Sequence, residues 1–317
     1  MKRPLRAKPV LGGGVALAGL GLGLLAGSAR AADHGDVPSA GEVIRSEANI
    51  TDLHVFTKRR WRETNLVVAL SLDQSIPPDT ASYQFASDLT VKIHVDLDSR
   101  VSFDDPEANR IYGGTIVRPK EIDADRVFTI TFGPDGTPNL DDGRGRCERK
   151  ARLWAGLRDD PFIRGPRQGR NVAALVLELP LDEVLWHKST ILVWATASVP
   201  NVSGPLMDSA GRSFRSMFPE FAILNQLSPA EQAHFGFVPD VVIFKTDRPA
   251  AFPNGRALED DVLDLVGDPR PLANDAPFPS TNDVPFLRRF PYLAPPQGVP
   301  DDPGIIVGDE DCGGCGR

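Results

Sequence analysis

Residues 66–72 read LVVALSL and residues 172–179 read VAALVLEL, and these two short apolar runs decide the fold class of the 317-residue chain. Both are bounded by polar or turn-forming residues, a pattern typical of strands. Segments of the same character occur at residues 50–56, 89–95, 110–116, 127–132 and 190–198. Short strands linked by turns rich in Gly and Pro predict a mainly β fold, a single β-sandwich or barrel-like domain with a few short helices and long irregular loops.

Helix signals are few. Ser228 is followed by Pro229 and then by Glu231, a capping box with proline at the first helical position, which predicts a short helix toward His234. Residues 181–186 form a second candidate helix. The helices are therefore expected to be minor additions to a β domain.

The first 31 residues have the pattern of a secretory signal peptide. Four basic residues precede an apolar run over residues 10–26, and Ala29 and Ala31 supply the small residues of a cleavage site. A retained membrane anchor is the alternative, for which the run is short and rich in glycine. The sequence thus predicts an exported protein, periplasmic or extracellular, with a signal peptide at residues 1–31 and no membrane span after cleavage.

Cleavage there removes five basic residues and no acid, which moves the formal net charge from −8 to −13. A chain with this net negative charge is not expected to bind nucleic acid or an anionic membrane surface. Residues 32–298 are expected to form one β-rich domain. Residues 299–317 are rich in Asp, Gly and Cys, and they predict a flexible acidic tail.

The stretch over residues 250–265, AAFPNGRALEDDVLDL, carries the densest group of charged residues next to a turn signal. Pro253 and the Asn-Gly pair after it predict a chain reversal. Arg256 and the acids Asp260, Asp261 and Asp264 follow. Two interpretations stay open: a helical turn whose acids complement the helix dipole, or a ligand or divalent-cation site with Arg256 as counter-charge, for which Ca²⁺ is the candidate.

Four motifs together give the chain a family resemblance. They are AFPNGRALEDDVLDL at residues 251–265, ARLWAGLRDDPF at 151–162, NITDLHVF at 49–56 and NDVPFLRRFPYLAPP at 282–296. With these motifs the chain resembles the exported bacterial family catalogued as domain of unknown function 4331. The resemblance implies an exported, β-rich domain of unassigned activity. The chain departs from the family pattern at residues 163–166, which read IRGP.

No nucleophile, zinc-protease or nucleotide-binding motif is visible in the sequence. The first hypothesis is therefore an exported, non-catalytic β domain that binds a small molecule or an envelope protein, with a divalent cation as a candidate cofactor. A second is a hydrolase-like enzyme whose carboxylate site combines Asp159 and Asp160 with Asp260, Asp261 and Arg256. A third is a structural envelope protein.

Two further sites are predicted near the ends of the chain. Cleavage after Ala31 would place His34 third in the mature protein, where an α-amine, two amides and an imidazole can bind Cu²⁺ or Ni²⁺. Cys312 and Cys315 form a C-x-x-C pair that is expected to close a small disulfide in an oxidising compartment. Cys147 is then the odd thiol.

Overall fold

The computed structural model describes residues 45–60, 63–142, 151–161, 169–186, 188–201, 204–212, 224–262 and 281–308. The signal peptide, His34, Asp264 and all three cysteines lie outside these ranges. The described strands and helices, in chain order, are β1 (Ile50–Arg60), β2 (Glu63–Ile76), β3 (Thr90–Asp96), β4 (Val101–Ser102), α1 (Pro106–Tyr112), β5 (Thr115–Ile116), β6 (Arg126–Phe132), β7 (Pro138–Asp141), β8 (Arg152–Asp159), β9 (Asn171–Pro180), α2 (Leu181–Leu185), β10 (Thr190–Asn201), β11 (Gly204–Ala210), α3 (Pro229–His234), β12 (Val242–Lys245) and β13 (Ile305–Gly308).

The protein is mainly β, as the sequence predicts, and its strands form two principal antiparallel sheets. The first sheet has the order β1-β2-β9-β8-β13. The second has the order β11-β10-β3-β6-β7, and β12 also pairs with β10. One apolar core contains residues of both sheets, among them Leu70 and Leu175 from the first and Ile93 and Val193 from the second. This arrangement is sandwich-like, with the core between the two sheets.

The outer face of the first sheet is also buried, which explains why β2 and β9 read as continuous apolar runs. Val67, Val176 and Trp154 on that face pack with Tyr292 and Leu293 of the C-terminal segment. The C-terminal segment therefore covers the outer face of the first sheet.

The first half of the segment predicted as a flexible tail contains a described strand. Ile305–Gly308 form β13, which pairs antiparallel with β8. Just before it, the Asp302 carboxylate accepts a hydrogen bond from the Leu157 amide at 2.8 Å, and the Trp154 indole donates to the Pro303 carbonyl at 2.9 Å. Ile305, Ile306 and Val307 are three consecutive β-branched residues, so a local strand signal is present in this segment.

The strand predicted at residues 110–116 is also wrong over most of its length, because helix α1 ends at Tyr112. The Asp105 side chain caps α1 by accepting from the amides of Glu107 and Ala108, and Pro106 occupies its first turn. By contrast, the capping box predicted at Ser228 is present at the start of α3. No helix in the described ranges combines the length and apolarity needed to cross a membrane.

Candidate functional site

The charged stretch after residue 250 begins with a tight turn that returns the chain to β1. Ala251 and Asn254 form an isolated bridge, and the Phe252-Pro253 peptide bond between them is cis. Gly255 follows with φ at +67°, and a Cβ there would lie 2.7 Å from the Val55 carbonyl oxygen. Only glycine fits this close approach in that conformation.

Arg256 connects this loop to β1 through backbone and side-chain bonds. Its amide donates to the Val55 carbonyl at 2.8 Å, and its carbonyl accepts from the Val55 amide at 3.0 Å. Its guanidinium Nη1 lies 3.0 Å from Asp52 Oδ1 and donates to the Leu53 carbonyl at 3.3 Å. Arg256 is only 7% exposed. The side chain predicted as a ligand contact therefore has a structural role in a buried ion pair.

His54 lies on the same strand and is buried beside this pair. Burial lowers the pKa of His54 well below its ordinary value, and the Arg256 charge lowers it further, whereas the Asp52 charge opposes them. Neither ring nitrogen has a hydrogen-bond partner in the described structure. The imidazole is neutral and adds no charge to the site.

Asp260 and Asp261 directly precede the helical residue Val262, and Asp264 lies outside the described ranges. Asp260 stabilises the turn, since its Oδ2 accepts from the amides of Phe252 at 2.8 Å and Ala257 at 2.7 Å. Residues 250–261 contain bridges, bends and turns. The carboxylate that was a candidate calcium ligand is thus already bonded to backbone N–H groups.

Asp159 and Asp160 lie in a different part of the first sheet, so the structure does not bring the two predicted acidic motifs together. Val55 bridges to Arg256. When the register of residue pairs is followed across β2 and β9, Val55 lies level with Leu153 of β8. Asp159 lies six residues further along β8. At the usual rise per residue this is about 20 Å along the strands, in addition to three strand spacings across the sheet. The predicted joint carboxylate site with Arg256 is not formed.

Asp159 has its own set of partners. Asn282 Nδ2 donates to it at 2.6 Å and Gln297 Nε2 at 2.7 Å. Burial, with smaller contributions from the charges of Asp283 and Asp160, raises the pKa of Asp159 to about 7 despite these two bonds. These contacts tie the C-terminal segment to β8, which is a structural role.

A group of three acids lies beside β3. The carboxylate oxygens of Asp96, Asp98 and Asp125 lie within 4.8 Å of one another. Asp96 accepts from the Ser99 hydroxyl at 2.6 Å and the Ser99 amide at 2.8 Å, and Asp125 accepts from the Leu97 amide at 2.7 Å. These bonds indicate that the acids of this group stabilise a turn.

The edge of β1 beyond the bridge to Arg256 is open near the charged loop. In an antiparallel pair, alternate residues point both backbone groups away from the partner strand. Val55 does so, because its amide and carbonyl both bond to Arg256. Thr57 and Arg59, two and four residues further on, must therefore point theirs away from β2 as well. Neither has a backbone partner on that side in the part of the chain that the structure describes.

This edge opens into a groove of about 500 Å³, the β1 groove. Its walls are the end of β1 with Thr64 of β2, residues 246–250 after β12, and residues 257–259 after Arg256. Phe56 and Leu258 supply apolar surface, and Lys58, Arg59 and Arg248 supply cations. The loop predicted as the centre of the site thus forms one wall of this groove.

The sequence interpretation missed Thr57, Lys58 and Arg59. A signal was present, since residues 57–60 read TKRR directly after the apolar alternation of β1. Consecutive polar and basic residues at the end of a strand are typical of a sheet edge. Comparisons with protein-family models, with curated proteins and with solved structures found no match to the chain.

Proposed function

We propose that the protein is an exported, non-catalytic binding domain whose β1 groove takes an extended segment of a partner polypeptide by strand addition. The observation that carries this proposal is the pair of open backbone positions at Thr57 and Arg59 beside a cavity of about 500 Å³. An added strand would bond to both positions and continue the first sheet beyond Arg256. Main-chain bonding of this kind supplies affinity, and the groove walls select the side chains.

The geometry of the loop favours this function. The tight turn at residues 251–255 brings the chain to β1, and the bridge that Arg256 then forms with Val55 is isolated, so it pairs only one residue with the strand. The sheet edge is thus held open beside the bridge. A volume of about 500 Å³ lies within the usual range of ligand sites, so the groove can also accommodate side chains of the added strand.

The other functions predicted from the sequence receive less support. The hydrolase-like hypothesis needs Asp159 and Asp160 beside Arg256, and the register separates them. Of the candidate calcium ligands Asp260, Asp261 and Asp264, the first already accepts two backbone bonds at Oδ2, and the last lies outside the described ranges. Export is supported by the N-terminal sequence and by the resemblance to the exported family.

Selection from a random peptide library displayed on phage, followed by affinity measurement on variants, tests the proposal. Thr57→Pro removes the N–H that points into the groove, and it removes no bond to β2. We expect the selected peptides to bind wild type and to lose at least about tenfold in affinity on Thr57→Pro, since one backbone hydrogen bond is removed and the proline ring blocks the edge.

Thr57→Val is the matched control, because it changes the side chain and keeps the N–H. Peptides that bind wild type and Thr57→Val alike but not Thr57→Pro support strand addition. Failure to select any peptide, or equal binding to all three proteins, would refute it and favour a structural envelope role. Circular dichroism and melting of Thr57→Pro establish that the sheet is retained.

A further inference from the structure

We propose that the strand accepted by the β1 groove is acidic, with carboxylate side chains that pair with Lys58 and Arg59. This inference rests on the proposed strand addition and names the chemistry of the partner. It follows from where the cations lie on the open edge.

Successive residues of a strand point to opposite faces of the sheet, so Lys58 and Arg59 lie on opposite faces of β1. Lys58 is held on the outer face, where its Nζ lies 5.4 Å from the Phe56 ring centre and 5.8 Å from that of Tyr292. Arg59 is exposed and has no acidic partner in the described chain. An added strand therefore meets a cation on each of its faces.

Residues that lie opposite each other in neighbouring strands have adjacent side chains, and opposite charges there are favourable. An acidic residue facing Arg59 pairs on one face, and an acidic residue facing Lys58 pairs on the other. An acidic strand can pair with a cation in either register, because a cation lies on each face of β1. A basic segment would meet like charge in either register.

The acids of the groove do not cancel this preference at the edge itself. Asp247 lies beside its own neighbour Arg248, with 3.9 Å between Asp247 Oδ1 and Arg248 Nε. Glu259 is on the far wall, in the loop after Arg256. The three cations exceed these two acids, although the whole chain has a net charge of −8. The edge is thus a local basic site on an acidic protein.

The test uses two short labelled peptides, one alternating Val and Glu and one alternating Val and Lys, titrated into the protein by fluorescence anisotropy. We expect the Glu peptide to bind at least about tenfold more tightly than the Lys peptide at low salt. Because an alternating peptide has all its Glu side chains on one face, the double variant Lys58→Gln with Arg59→Gln should weaken the Glu peptide by about threefold, and raising the salt concentration should diminish both effects. Lys92→Gln, an exposed cation on β3, is the charge control and should leave binding unchanged.

The outcomes separate the two proposals. Sensitivity of both peptides to Thr57→Pro with equal affinities would overturn the acidic preference and leave strand addition standing. Tighter binding of the Lys peptide would also overturn it. Absence of binding by either peptide, or binding that Thr57→Pro does not affect, would overturn strand addition itself and leave the cations as protection of the sheet edge.

Discussion

At the scale of single residues, Asp159 is the group whose ionisation is most clearly linked to folding. It is 1% exposed, and its pKa is raised from 3.8 to about 7 by burial. Because the folded state holds the proton more tightly than the unfolded chain, Asp159 contributes stability below pH 4 that is lost as the pH rises through about 7. One pKa unit corresponds to about 1.4 kcal/mol, so the loss is on the order of a few kcal/mol.

We predict that Asp159→Asn removes this component, since Asn keeps the shape and does not ionise. Melting temperatures of wild type and variant, measured between pH 4 and 8, should converge or cross as the wild type loses stability. Asp135→Asn is the control, because Thr137 lowers the pKa of this exposed carboxyl group, whose contribution is therefore constant between pH 4 and 8. A difference between wild type and Asp159→Asn that stays constant across this range would contradict the prediction.

At the scale of elements, the loop over residues 250–262 is joined to β1 by a buried ion pair, a backbone bridge and the bond from Arg256 to the Leu53 carbonyl. Arg256 and Asp52 are both less than a tenth exposed. Removing one partner of a buried pair leaves an uncompensated charge, whereas replacing both by apolar side chains is often close to neutral. The two kinds of substitution should therefore differ.

We predict that Arg256→Met costs about 3–5 kcal/mol of unfolding free energy and that Arg256→Met with Asp52→Leu costs clearly less than the sum of the single changes. Denaturant unfolding of the four proteins in this double-mutant cycle measures both values. Strictly additive losses would show that the pair does not couple the loop to β1.

At the scale of the whole molecule, the sequence pattern at the N-terminus predicts that the exported protein begins near residue 32. We expect the intact mass of protein recovered from the exported fraction to lack about thirty residues, because the charged, apolar and small-residue segments follow the order of a cleaved signal. A mass matching all 317 residues would refute cleavage. Replacing Ala29 and Ala31 by bulky residues is the control, since it should block processing.

The fold class was predictable because it depends on local patterns. The runs at residues 66–72 and 172–179 lie within β2 and β9, and the Ser228 capping box begins α3. Local signals failed where two of them competed, as at residues 110–116, where the Asp105 cap and Pro106 favour a helix. At β13 a local signal is present in the β-branched residues 305–307, which pair with β8.

The sequence by itself determined that the protein is mainly β, and it singled out the loop around Arg256 as a charged segment next to a turn. Only the tertiary structure decided what that loop does. Arg256 bonds to Leu53, 203 residues away, and Asp159 bonds to Gln297, 138 residues away. The open edge at Thr57 exists because β1 ends the strand order of the first sheet. Strand order and such distant contacts arise from packing of the whole chain, whereas propensity and periodicity report only on neighbouring residues.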